Sequence, residues 1–234
     1  MKRIVQKHPL AIRWCHWINF PVLIIMIWSG FLIYWANDVY RVGWGNTTVL
    51  KFFPQSFYEA LHIPHRLAEG MAFHFAFMWL FMINGLVYVL YLSFSGQWRL
   101  LLPNRHSLKE AWQVVLHDLH IRKMPLPYTK KYNAAQRIAY TAIVLMGFGS
   151  LLTGLAIYKP VQLNWLCALF GGYEWARIIH FALTIGYCAF FLIHVSQVIF
   201  AGWNNFQGMV TGFDVQDIDE PSDSLPAKEP LEDQ

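Results

Sequence analysis

An all-α integral membrane bundle of four spanning helices is the fold class this sequence predicts, and three observations predict it. The 234-residue chain is 56% hydrophobic and only 14% charged. Its mean hydropathy is positive, far from that of an average soluble domain. Four apolar runs, at 17–36, 71–94, 137–158 and 176–200, approach or exceed the ~20 residues that a spanning helix needs. Helices are therefore expected at about 12–36, 70–94, 134–158 and 175–202, within one domain over 1–212. The partners of such a surface are lipids, and no nucleic acid is expected.

The elements follow in order. The first helix comes after a basic N-terminus, but it is too long for a signal-peptide core and has no small-residue cleavage site, so it is expected to be retained. A long loop, 37–70, rich in aromatics and carrying Gly43, Gly45 and Pro54, leads to the second helix. The basic loop 95–136 contains "SLKEAWQVVLHDLHI", where Leu108, Trp112, Val115 and Leu119 recur at helical spacing, which predicts a short amphipathic helix at the membrane interface. After the third helix, "VQLNWLCALFGGYE" is too short to span and should rest on the outer surface. From Thr211 the chain is acidic and Pro-rich, and a disordered tail is expected over 213–234. Thirteen Lys and Arg fall on the side of the N-terminus and five on the other, which puts both termini in the cytoplasm. Cys15, Cys167 and Cys188 have no C-x-x-C spacing, so they read as small apolar residues, not as a disulfide, cluster or covalent haem site.

Histidine carries the functional signal. In "ARIIHFALTIGYCAFFLIHVSQVIF", His180 and His194 are fourteen positions apart. At about 100° per residue the helix turns about 1400°, only ~40° short of four whole turns, so both rings share a face roughly 21 Å apart along the axis. His16 opens the first helix and His74 lies early in the second. Depth sorts the four into an outer pair, His74 with His180, and an inner pair, His16 with His194, each drawn from two helices. Ionisable side chains in spanning segments are costly and usually functional. Two imidazoles across an apolar slot suit the axial positions of b-type haem iron, whereas structural zinc wants four ligands and usually sulfur. Gly30, Gly85, Gly147, Gly149, Gly154 and Gly186 offer room for a flat macrocycle, or simply for helix packing. A proton relay would normally bring intramembrane Asp or Glu, and the four segments contain none. His65 in "HIPH" is an alternative to His74. "HDLH" (His117, His120) reads as a solvated face, and His8 and His106 as surface.

These features carry a resemblance. "RWCHW", "FHFAFMWLFMINGLVYVLY", "KYNAAQRIAYTAIVLMGFGSLLTGLAIY" and "GGYEWARIIHFALTIGYCAFFLIHV" resemble the di-haem cytochrome b membrane subunits of Ni/Fe-hydrogenases, formate dehydrogenases and thiosulfate reductases, over about residues 8–212. "NGLVY", "KYNAAQ" and "TGLA" are most similar to the thiosulfate-reductase and molybdopterin-oxidoreductase-associated members. The resemblance implies a multi-pass protein of the bacterial cytoplasmic (inner) membrane with two b haems, His74 and His180 holding the outer and His16 and His194 the inner. It implies an electron-transfer subunit, not a complete enzyme, linking an extracytoplasmic oxidoreductase subunit of molybdopterin or iron–sulfur type to the quinone pool. Its quinone pocket falls at the start of the third helix, here Asn133 and Gln136, whose amides can bond a quinone carbonyl; Asn133 reads equally as a helix N-cap. Ala135 stands where formate-dehydrogenase-type members have glycine, which narrows or shifts that pocket. Arg13, Arg137 and Arg177 read either as partners of haem propionates or as interface anchors. The rival functions are a haem-free anchor or small transporter, and a stand-alone quinol-linked reductase.

Overall fold

The structure, a computed structural model, describes residues 2–36, 41–44, 47–118, 121 and 132–217. In chain order the elements are β1 (Lys2–Gln6), α1 (Leu10–Tyr34), β2 (Arg41–Trp44), β3 (Thr47–Lys51), α2 (Gln55–Ala60), α3 (Leu67–Ser95), α4 (Trp98–Leu101), α5 (Ser107–Asp118), α6 (Ala134–Tyr158), α7 (Asn164–Leu169), α8 (Tyr173–Thr211) and β4 (Phe213–Asp217). Helices α1, α3, α6 and α8 are long and apolar enough to cross a membrane. In hydrocarbon every backbone N–H and C=O must be satisfied within the segment, which is why these runs are helices; Pro21 lies inside α1. The expected end of the fourth helix falls on a real feature. Gly202 takes φ 81° and ψ 176°, a conformation open to glycine, and the helical path resumes beyond it to Thr211.

The chain forms two compact units. One comprises Leu10–Tyr91 and Leu145–Gln197, and so holds α1, α2 and α7 with most of α3 and parts of α6 and α8. Here α1 and α3 come close at Gly70, where an added Cβ would lie 2.6 Å from Leu32 Cβ and 3.1 Å from the Ser29 carbonyl oxygen. The segment after α1 is more than a loop. It makes the hairpin β2–β3 and then α2, anchored by edge-on packing of Phe53 against Phe31 and by the Tyr58 hydroxyl donating to the Phe31 carbonyl at 2.9 Å. Burial, and then the neighbouring Tyr34, raises the Tyr58 phenol above its ordinary range. The segment expected on the outer surface forms α7, whose Leu166 and Cys167 pack with Ala156 and Ala176. All three cysteines are free thiols, and Cys167 Sγ lies 3.1 Å from the Ala156 carbonyl oxygen.

The other unit gathers the described residues of Met1–Pro9, Leu92–Val144 and Val198–Gln234. The expectation of disorder from residue 213 is corrected here for Phe213–Asp217, which pair antiparallel with β1 in the register Lys2↔Asp217 to Gln6↔Phe213. Lys7 locks the pair: its Nζ donates to Asn205 Oδ1 at 2.8 Å and to Asp214 Oδ2 at 3.0 Å. The strands are distant in sequence, so no local pattern shows their pairing. The acidic residues from 218 onward lie outside the described residues, as do Leu119 and His120. Helix α5 forms as expected, with Leu108, Trp112 and Val115 outward and Val114 buried. Glu110 on α5 pairs at 3.2 Å with the buried Arg137 of α6.

Replacing Gly70 by alanine is expected to force α1 and α3 apart and cost about 1–3 kcal/mol. Thermal unfolding in detergent checks this as a lowered midpoint; an unchanged midpoint would mean that the contact is not limiting.

Candidate functional site

The four membrane histidines meet in the pairs that depth predicts, and both pairs lie within one compact unit. His74 of α3 faces His180 of α8 with ring centres 6.2 Å apart and planes at 71°. His16 of α1 faces His194 of α8 with centres 6.1 Å apart and planes at 59°. Fourteen residues of α8 separate the two pairs by roughly 21 Å along its axis.

Two imidazoles bound trans to one metal ion at about 2 Å place their nitrogens about 4 Å apart, and each ring centre lies about 1.1 Å behind its nitrogen, which brings the centres to about 6 Å. Rings hydrogen-bonded to each other, with nitrogens about 3 Å apart, would have centres only about 5 Å apart. Both observed pairs match the metal-bridged distance. Among the described residues no group of three or more His, Cys, Asp or Glu gathers in a metal-binding cluster, so the donor sets suit a cofactor that brings its own equatorial ligands, not zinc.

The surroundings support the first pair closely. Ser29 Oγ of α1 lies 3.0 Å from His74 Nδ1, and Thr153 Oγ1 of α6 lies 2.9 Å from His180 Nδ1. All four spanning helices thus converge on this site. The next residue in each case is glycine, and an added Cβ would meet a ring: 3.9 Å from His74 Cε1 at Gly30, and 3.4 Å from His180 Cε1 at Gly154. At the second pair, His16 Nδ1 is buried and has no hydrogen-bond partner among the described residues. His16 lies edge-on to Trp17, and Phe190 stacks parallel on His194 at 5.6 Å. Asn84 Nδ2 donates to the Cys15 carbonyl at 2.9 Å, fixing α1 against α3 beside His16. Midway between His180 and His194 on α8, Tyr187 is buried on their face, edge-on to Phe81.

The other predicted residues fall as follows. His65 lies against Trp35 and Tyr58, with ring centres 4.5 and 5.5 Å away, while His74 occupies the place opposite His180. Asn133 and Gln136 form a reciprocal cap at the start of α6: Asn133 Oδ1 accepts from the Gln136 N–H at 2.8 Å, and Gln136 Oε1 accepts from the Asn133 N–H at 3.0 Å. Burial beside this cap raises the Tyr132 phenol above its usual range. Arg177 lies over the Tyr173 ring at 5.5 Å, and Arg137 is engaged by Glu110. Sequence reasoning missed Ser29 and Thr153. Their signal was a hydroxyl residue directly before a glycine in an apolar run, which occurs as Ser29-Gly30 and Thr153-Gly154.

Comparison with known proteins agrees with this architecture. The family model of prokaryotic cytochrome b561 matches residues 7–212. A relative from Azospira oryzae, provisionally named protein-methionine-sulfoxide reductase subunit YedZ1, is 33% identical over 198 residues, covering 84% of this chain and 92% of that protein. The chain belongs to the prokaryotic cytochrome b561 family and is a multi-pass haem-b electron-transfer subunit of the bacterial inner membrane.

Proposed function

We propose that this chain carries two b haems, one between His74 and His180 and one between His16 and His194, and passes electrons between an extracytoplasmic oxidoreductase partner and the membrane quinone pool. The observation that carries this reading is the pair of cross-helix histidine contacts at 6.2 and 6.1 Å, stacked along α8. With both termini cytoplasmic, as the Lys and Arg distribution indicates, the His74–His180 pair lies toward the outer face and His16–His194 toward the inner. A b haem held by either pair would supply one-electron transfer there. The chain does the rest. Its imidazoles bind and orient, Gly30 and Gly154 leave room beside the rings, and the apolar helices exclude water.

The relative's name, a reductase subunit, supports a chain that works with a separate oxidoreductase. Family membership favours this over a haem-free anchor or transporter. For the quinone we propose Asn133 and Gln136. Their side-chain oxygens are engaged in the cap, and their NH₂ groups are the donors that a quinone carbonyl needs.

Pyridine-haemochrome assay of the purified protein is expected to give two b haems per chain, with one lost in His180→Ala and one in His194→Ala. No haem in a well-folded preparation would sink the reading. Asn133→Asp and Gln136→Glu keep the capping oxygens and remove the NH₂ donors. Each is expected to slow quinol-driven haem reduction about 2- to 10-fold, the worth of one hydrogen bond, with unaltered haem spectra. Wild-type rates in both variants would move the quinone site elsewhere.

A further inference from the structure

Ser29 and Thr153 occupy the same setting on two different helices. Both are fully buried, at 0% exposure. Each donates its hydroxyl proton along its own helix, Ser29 to the Met26 carbonyl at 3.1 Å and Thr153 to the Gly149 carbonyl at 2.7 Å. Such back-bonding is common for hydroxyl residues in helices and alone implies nothing. What sets these two apart is the second contact. Having committed its only proton, each oxygen faces a ring nitrogen as an acceptor: Ser29 Oγ at 3.0 Å from His74 Nδ1 and Thr153 Oγ1 at 2.9 Å from His180 Nδ1. An oxygen that only accepts calls for a hydrogen on the Nδ1 that faces it. In that tautomer the lone pair of each ring is on Nε2, on the far side from its hydroxyl. His16, by contrast, has a buried Nδ1 with no partner among the described residues.

We propose that Ser29 and Thr153 are positioning residues that hold His74 and His180 in the Nδ1–H tautomer, aim both Nε2 atoms into one slot, and so make this site the tighter-binding and lower-potential of the two. The proposal rests on the paired-ligand reading above. Its physical content is twofold. A ring whose tautomer and orientation are already fixed loses less freedom when it binds. An Nδ1–H donated to an acceptor also makes Nε2 a stronger donor to the metal, which favours the ferric state and lowers the potential. The two sites then differ although both are bis-histidine.

The test uses the full chain in detergent, with Thr153→Val and Ser29→Ala made singly and together. The readouts are potentiometric titration followed in the visible spectrum, low-spin ferric resonance, and the rate of haem loss to an apo-globin trap. His74→Ala identifies which signal belongs to this site. The expected result is a shift of that haem to more positive potential and a roughly 10- to 100-fold faster loss, the usual effect of removing a partner behind a ligating histidine. The other haem should stay unchanged, reporting that the fold is intact. Thr153→Ser and Ser29→Thr should restore both properties. Two haems with wild-type potentials and release rates in the double variant would overturn the proposal, and so would equal shifts at both sites, which mean general loosening. A wild-type protein that binds no haem would instead overturn the paired-ligand reading, and this proposal with it.

Discussion

The register of a single helix is the constraint on which the functional architecture depends. Helix α8 gives one histidine to each pair, and 3.6 residues per turn decide that residues 180, 187 and 194 share a face. Because the helix is rigid, the distance between the two sites is set by the peptide backbone and needs no tertiary adjustment. The other spanning helices are then arranged around fixed points: α1 brings His16 to one level and Ser29 to the other, α3 brings His74, and α6 brings Thr153. Gly70 has its place in the same chain of causes. The absence of a side chain there lets α1 approach α3 one helical turn from His74, close enough for the Ser29 hydroxyl to reach the ring.

The spanning helices and both histidine pairs were legible because their signals are local and periodic. A run of apolar residues states its own length requirement, and fourteen positions along a helix state a face. The start of α6 was legible too, since Asn133 followed three residues later by Gln136 is the sequence form of a reciprocal cap, and the structure contains that cap. Ser29 and Thr153 were harder. A hydroxyl in an apolar run becomes informative only when the crossing of a second helix places a ring nitrogen beside it. The pairing of β1 with β4 was hidden for a related reason: Phe213–Asp217 is short, lies among acidic residues, and finds its partner at the opposite end of the chain.

The polar side chains of the second unit serve to hold segments in place. Lys7 ties the first strand to Asn205 and to Asp214 of the last, Glu110 holds the buried Arg137, and Thr141 Oγ1 donates to the Leu101 carbonyl at 2.9 Å. A charge as buried as Arg137 is costly unless it is paired. Its pairing with Glu110 gives it a structural occupation, which weighs against its reading as a partner of a haem propionate.

The spacing between facing rings bears finally on how the protein is assembled. The two imidazoles of each pair, with centres about 6 Å apart, come from helices that lie far apart in the sequence. Spanning helices can insert singly and pack afterwards, so neither pair exists until those helices have met. Each pair therefore marks a closure between helices far apart in sequence, α1 to α8 at one level and α3 to α8 at the other. A ligand that bridged either pair would tie those helices together, so that its departure and their separation would be a single event.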